Sequence, residues 1–239
     1  MSIESVFITG ASRGIGEALA SALLDQGASV YGLSRNESEK LREKSNWRFQ
    51  SADLAELDDI PSHLEQLLGG VVKLDLVIFN AGVLGEIKAV EEWTPSELSK
   101  VMEINVWANK VLLDWLLARK VQLGLVIGIS TGAAVKGSEG LAAYAISKSA
   151  LITMLQVYAN EHQEIHFISL APGQVRTAMT GSLHEQPGSD RFSTTQRIKD
   201  NFEHGRMTEP QEAAANILAA IPKLLQMPNG SMQDIREIG

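Results

Sequence analysis

Short, continuously apolar runs alternate along this chain with longer stretches whose apolar residues recur every three or four positions. The apolar runs lie at 5–9, 28–34, 47–50, 74–79, 123–129 and 165–170, with a weaker one at 231–238. Runs this short, bounded by glycine, proline or polar clusters, read as strands buried on both faces. Between them, 17–24, 55–68, 94–119, 140–161 and 209–225 read as helices. Thr94-Pro95-Ser96-Glu97 opens the longest with a capping threonine, a proline at the first helical position and a glutamate completing a capping box. Strand and helix alternate throughout. That order predicts an α/β fold, a doubly wound parallel sheet with helices on both faces.

The alternation breaks at 174–206, which is polar, holds Gly181, Pro187 and Gly188, and has only a weak helical stretch at 194–203. A segment of this length between regular elements reads as a functional loop or lid. No internal repeat, low-complexity tract or linker divides the chain, so residues 1–239 read as one domain. Hydrophobic residues make up 44% and charged residues 21%, as in an ordinary soluble globule. A net charge of −8 argues against a nucleic-acid-binding surface. The absence of cysteine excludes disulfides, thiol nucleophiles and cysteine–zinc sites. No signal peptide is visible ahead of the first strand and no apolar run is long enough to span a bilayer, so a cytoplasmic protein is expected.

Two stretches carry candidate chemistry. The first is Gly10-Ala-Ser12-Arg13-Gly14-Ile15-Gly16, set between the first strand and the first helix. Strand, glycine loop and helix in that order form the context of a dinucleotide-binding turn. Gly10 permits the tight turn, Gly14 lets backbone approach a pyrophosphate, and Gly16 allows close packing of helix on strand. The helix N-terminus offers free N–H groups to the phosphates. At the end of the second strand an NAD-binding domain places a carboxylate on the ribose 2′-hydroxyl. Here Gly32-Leu33-Ser34-Arg35-Asn36 has no carboxylate at its tip. Arg35 there and Arg13 in the loop suit a 2′-phosphate, and a charge-assisted contact of roughly 1.5–3 kcal/mol favours NADP(H) over NAD(H).

Asp53-Leu54 follows the third strand. Asp53 is placed either to accept from the adenine amino group or to cap the helix at 55–68. Asn80-Ala81-Gly82 ends the fourth strand with small residues that allow close contact with a cofactor. Asn105 lies inside a very apolar helix, where asparagine is unusual, and is either satisfied in the core or functional.

The second stretch is Tyr144-x-x-x-Lys148. On a helix the two side chains leave one face a turn apart. An ammonium near a phenol stabilises phenolate and lowers the tyrosine pKa, making a proton donor usable near neutrality.

Taken in register, Thr9-Gly-Ala-Ser-Arg-Gly-Ile-Gly16, Asn80-Ala-Gly82, Asn105, Ser130-Thr131, Tyr144-x-x-x-Lys148 and Pro172-Gly173-x-Val175-x-Thr177 resemble the short-chain dehydrogenase/reductase family over essentially the whole chain. The resemblance implies a Rossmann-type fold of about seven strands, a nicotinamide cofactor, a small carbonyl or alcohol substrate, and a homodimer or homotetramer formed through the long helices. It implies that Tyr144 is the acid/base and that Lys148 holds the nicotinamide ribose. It further implies that a hydroxyl thirteen residues before the tyrosine positions the carbonyl, that Asn105 supports a relay water, and that Val175 and Thr177 flank the carboxamide. The hydroxyl position falls on Thr131, where the family usually has serine; Ser130 is one residue out of register. Threonine keeps the hydroxyl but adds a methyl and stiffens χ1.

The Ser-Thr-Gly-Ala-Ala run, Arg206-Met-Thr-Glu-Pro210 and the Pro228-Asn-Gly-x-x-x-Asp-Ile-Arg236 ending look similar to benzil and sepiapterin reductase-like members, which reduce dicarbonyls with NADPH. The glycine-rich ending of the acyl-carrier-protein ketoreductases is missing, which lowers a 3-oxoacyl thioester role. A rival reading is a non-catalytic NADP sensor, although such proteins usually lose the tyrosine or the lysine. His162 and His166 are four apart with Glu164 between, but their order is not that of a metal helix and no metal is expected. Trp107 and Trp115 belong either to a subunit interface or to the core.

Overall fold

The computed structural model describes residues 2–238. Seven parallel strands form one sheet in the order β3-β2-β1-β4-β5-β6-β7. They are β1 (Ser5–Thr9), β2 (Ser29–Ser34), β3 (Trp47–Ser51), β4 (Lys73–Phe79), β5 (Gln122–Ile129), β6 (His166–Ala171) and β7 (Met232–Asp234). The helices are α1 (Gly14–Asp25), α2 (Ile60–Leu68), α3 (Pro95–Met102), α4 (Ala108–Ala118), α5 (Ala133–Lys136), α6 (Ala142–Glu161), α7 (Ala178–Gly181), α8 (Ser193–Glu203), α9 (Pro210–Leu224) and α10 (Ile235–Ile238). None is long and apolar enough to cross a membrane.

Side-chain alternation divides the sheet between two cores. Val6 and Ile8 face one layer with α1 and α9, through Leu19, Leu23, Ala214 and Ile217. Phe7 faces the other with α2, α4 and α6, through Leu64, Leu112 and Leu155. The strand order reverses between β1 and β4, since β1 pairs with both β2 and β4. A crevice outside the carboxyl ends of strands at such a reversal is where α/β sheets bind ligands.

Three elements differ from the sequence reading. The helix expected at 55–68 begins at Ile60, behind a 3₁₀ turn at Leu57–Asp59. Asp53 accordingly caps no helix; its Oδ1 accepts from Ala55 N at 3.0 Å, closing a local turn. The helix expected at 94–119 starts with the capping box of Thr94 and Glu97, but Glu103–Trp107 forms a π turn that separates α3 from α4. The strand expected to 238 stops at Asp234, because the Asp234 carboxylate accepts from Arg236 N at 3.0 Å and opens α10.

Candidate active site

The carboxyl ends of β1 and β4 are stitched together. Thr9 Oγ1 accepts from the backbone N–H groups of Asn80 and Ala81, each at 3.1 Å. Asn80 Nδ2 donates to the carbonyls of Thr9 and Gly10, both at 3.1 Å. Between these ends the loop has no room for side chains. Gly10 sits at φ 69°, and a Cβ there would come within 2.9 Å of Ala81 Cα. A Cβ on Gly16 would stand 2.3 Å from the Gly10 carbonyl oxygen, so α1 approaches β1 only because Gly16 lacks one. No side chain caps α1; Arg13 stands at its N-cap in extended conformation. The first-turn N–H groups are therefore left for an anion outside the protein.

From this loop a cleft of about 800 Å³ runs over the sheet. At its nucleotide end it is lined by Ser12, Arg13, Gly14, Ile15, Arg35, Asp53, Leu54 and Asn80-Ala81-Gly82. Arg13 and Arg35 are exposed. Sequence reasoning missed Glu37, which also lines this end. Its Oε2 accepts from Arg42 Nε at 2.8 Å and its Oε1 from Trp47 Nε1 at 3.2 Å. The signal was present: Glu37 falls in the interval of about twenty residues beyond the glycines where a ribose-binding acid is sought.

The catalytic end is built on α6. Lys148 is 2% exposed, and its Nζ donates to the carbonyl of Ile129 at 2.7 Å. That nitrogen lies 5.8 Å from the centroid of the Tyr144 ring. Burial pulls Lys148 down to about 8 and pushes Tyr144 up to about 12. The sequence reading had the lysine lowering the phenol. Removal from water alone sets the Tyr144 shift, and the Lys148 ammonium is directed at Ile129. The two hydroxyl residues that follow β5 divide differently. Ser130 is 2% exposed and its hydroxyl has no partner. Thr131 is half-buried, and its Oγ1 accepts from Ala133 N at 3.2 Å, leaving the hydroxyl hydrogen unassigned.

Asn105 does not line the cleft; it lies behind the wall, fully buried in the π turn. Its Oδ1 accepts from Val83 N at 2.8 Å, and its Nδ2 donates to Val83 O and to Ser147 Oγ, each at 2.9 Å. Ser147 Oγ in turn donates to the Tyr144 carbonyl at 2.8 Å. Both amide hydrogens are engaged, and the side chain joins the loop after β4 to the turn of α6 that carries Tyr144 and Lys148. A Cβ on Gly82 would sit 3.1 Å from Asn105 Oδ1 and 3.5 Å from Lys148 Nζ, so Asn105 would have to give by a few tenths of an ångström to admit one.

The far wall holds Pro172, Gly173, Val175 and Thr177. Val175 is bridged to Thr208, and Thr177 caps α7 through Thr180 N. The segment 174–206 folds over this wall as α7, two 3₁₀ turns and α8. It rests on Ile87 and Leu141 through Leu183, Phe192 and Ile198. Arg191 pairs with Glu92 at 3.0 Å, and Ser193 N donates to Glu139 at 2.8 Å. Elsewhere, His166 Nε2 lies 3.1 Å from the Leu224 carbonyl, and His162 lies 3.6 Å from Glu164. Among the described residues no group of three His, Cys, Asp or Glu side chains is arranged to hold a metal. Trp107 is 43% exposed, whereas Trp115 packs partly into the core with Arg119 over its ring.

A doubly wound sheet, a glycine cradle at its switch point and a Tyr–Lys pair at the floor of the same cleft define a dinucleotide-dependent oxidoreductase. Residues 4–188 match the short chain dehydrogenase family, and the chain belongs to it. It is 27% identical to a benzil reductase ((S)-benzoin forming) of Bacillus cereus, over 97% of this chain and 99% of that protein. It is 31% identical to the 3-oxoacyl-[acyl-carrier-protein] reductase FabG of Rickettsia conorii, over 77% of each. The crystal structure of the YIR035C short chain dehydrogenase/reductase from Saccharomyces cerevisiae superposes with a TM-score of 0.85 at 25% identity, over 97% of this chain and 96% of that one.

Proposed function

We propose that this protein is a cytoplasmic, NADPH-dependent carbonyl reductase that converts a ketone or dicarbonyl to an alcohol. The observation that carries the reading is the placement of Tyr144, Lys148 and Thr131 on one cleft that begins at the glycine loop. The residues present fit the cofactor: Gly10 and Gly16 leave a cradle that a Cβ would fill, and the N-terminus of α1 has no side-chain cap. A reduced nicotinamide dinucleotide supplies the hydride when bound. The N–H groups of the loop receive its pyrophosphate, and Arg13 and Arg35 its 2′-phosphate. Asp53 and Leu54 meet the adenine, and Pro172, Gly173, Val175 and Thr177 receive the nicotinamide end.

The chain's own part is orientation and proton delivery. Thr131 donates its hydroxyl hydrogen to the substrate oxygen and holds it beside Tyr144. Tyr144 keeps its proton across the neutral range and delivers it to that oxygen as negative charge develops there. Lys148, buried and fixed by Ile129, presents an ammonium to the ribose and to the phenolate left behind. Asn105 acts by position, holding α6 against the loop after β4. The segment 174–206 serves as the lid of this single domain.

The benzil reductases support a dicarbonyl substrate, and the 3-oxoacyl reductases support the same chemistry on a thioester. We also propose a homodimer or homotetramer, supported by Trp107, Ile146 and Val157, which are 43–48% exposed around α4 and α6. The test is NADPH oxidation across simple ketones, α-diketones, quinones, pterins and β-ketoacyl thioesters. Turnover of a diketone establishes the reading, turnover confined to thioesters replaces it with the ketoreductase, and tight NADPH binding without turnover replaces it with a nucleotide sensor.

A further inference from the structure

Away from the glycine loop the cleft is lined by Leu84, Leu141, Leu183 and Ile198 together with polar Ser138, Thr194 and Asn201, and its cations there are Lys136, Arg197 and Arg236. Lys136 closes α5 and Arg197 lies on α8; both side chains are exposed. The acids around them are committed elsewhere. Glu139 accepts from Ser193 and Thr194 at the start of α8. Asp190 pairs with Lys199, Asp200 with Arg206, and Glu203 with His184. Asp234 takes Arg236, with Arg236 Nε 2.8 Å from its Oδ1. Arg236 holds the Asp234 carboxyl below its usual range, with a smaller contribution from the charge of Lys136. The three groups together leave one positive charge. Among the described residues the acids lining the cleft are Glu37 and Asp53, at its nucleotide end. A local excess of positive charge on a chain of net −8 makes a field that runs against the sign of the whole molecule.

We infer that the substrate is a keto acid: an apolar carbonyl compound whose carboxylate is held by Lys136 and Arg197 while its carbonyl lies between Thr131 and Tyr144. This rests on the carbonyl reductase reading and names its substrate class. The reduction balances with the carboxylate unchanged. The carbonyl carbon gains hydride from the reduced nicotinamide, the oxygen gains the Tyr144 proton, and a hydroxy acid leaves with the oxidised cofactor. The apolar walls take the body of the substrate, and the two cations fix which end enters last.

The test compares a matched pair, phenylglyoxylate and its methyl ester, at saturating NADPH. The acid is expected to lead in kcat/KM by about ten-fold, the equivalent of one charge-assisted contact, with the lead shrinking as salt is raised. In Lys136→Gln/Arg197→Gln the acid-to-ester ratio falls about ten-fold, with NADPH KM measured alongside, and Lys136→Arg/Arg197→Lys restores it. An ester reduced as well as the acid in the wild type, or a ratio unmoved in the double variant, overturns the inference and leaves the carbonyl reductase standing. Reduction of neither probe nor of benzil, with NADPH bound, overturns both. Dependence on the two cations seen only with a β-ketoacyl thioester on an acidic carrier protein overturns the small-molecule substrate and assigns them to carrier docking.

Discussion

Asn105 Nδ2 donates to Ser147 Oγ at 2.9 Å across 42 positions of sequence, and Ser147 passes the connection to the Tyr144 carbonyl. Asn105→Ala leaves Val83 and Ser147 with unsatisfied buried groups. The expected cost is about 3 kcal/mol of stability. If Tyr144 also moves out of line, kcat falls by about ten- to a hundred-fold while NADPH affinity changes little. Denaturant melts and a kcat-against-KM comparison check this; an unchanged kcat would restrict Asn105 to the core.

Tyr144→Phe removes the proton donor and keeps the ring. Turnover is expected to fall about 10²- to 10⁴-fold with NADPH still bound, read by fluorescence titration beside steady-state rates. Near-wild-type turnover would reassign the acid.

The pH profile separates the two members of the pair. Burial brings Lys148 down to about 8 and Tyr144 up to about 12, so the first group lost on raising the pH is the ammonium. Reduction measured as kcat/KM is expected to decline as pH rises through 8, and Lys148→Arg should move that decline upward. A limb that stays at 8 in the arginine variant would belong to another group.

Lys148 also lowers stability. Its folded pKa of about 8 lies below the ordinary 10.5, so the unfolded chain binds the extra proton between these values and stability rises with pH across that window. Below pH 8 the full penalty applies, about 3 kcal/mol. Lys148→Met removes it but loses the bond to Ile129, for a net gain of about 1–2 kcal/mol at pH 7 that fades toward pH 10. Melting temperatures at the two pH values decide it; a less stable variant at pH 7 would show that the Ile129 bond outweighs burial.

The nucleotide end makes its own forecast. Arg35→Asp should shift preference toward NADH, and an unchanged NADPH/NADH ratio would remove Arg35 from the phosphate site. Arg42→Gln frees Glu37 from one of its two partners, so a smaller shift in the same direction is expected, absent when Glu37→Gln is added. Kinetics with both cofactors report the ratio.

How much of this was legible in the chain follows from where each signal resides. The strands were readable because burial on both faces leaves continuous apolar runs such as Val6-Phe7-Ile8, and the glycine loop because its glycines stand at fixed spacing between a strand and a helix, although what Gly10 and Gly16 avoid includes Asn80 and Ala81 far along the chain. The break in the long helix was not, since a π turn differs from an α-helix by one hydrogen-bond register; its one trace was an asparagine in apolar surroundings. Glu37 was overlooked because its position was judged by distance from the strand tip rather than by what the loop brings back. The upward shift of Tyr144 was hidden because desolvation is a tertiary quantity, whereas the Tyr–Lys spacing is local. The segment 174–206 was set apart by its composition, but Lys136 and Arg197 gained meaning only once α5 and α8 were seen on one cleft.

The π turn at Glu103–Trp107 has a last consequence. A wider turn amounts to one extra residue inserted into a helix, and one residue rotates everything beyond it by about 100°. Leu112 and Leu116, beyond the turn, are fully buried in the core, so their facing depends on that rotation. Deleting one uncharged residue of this turn, Ile104, would leave the net charge unchanged, yet turn α4 away from the sheet and withdraw Asn105 from Val83. At this point of the chain the number of residues carries function as much as their identity.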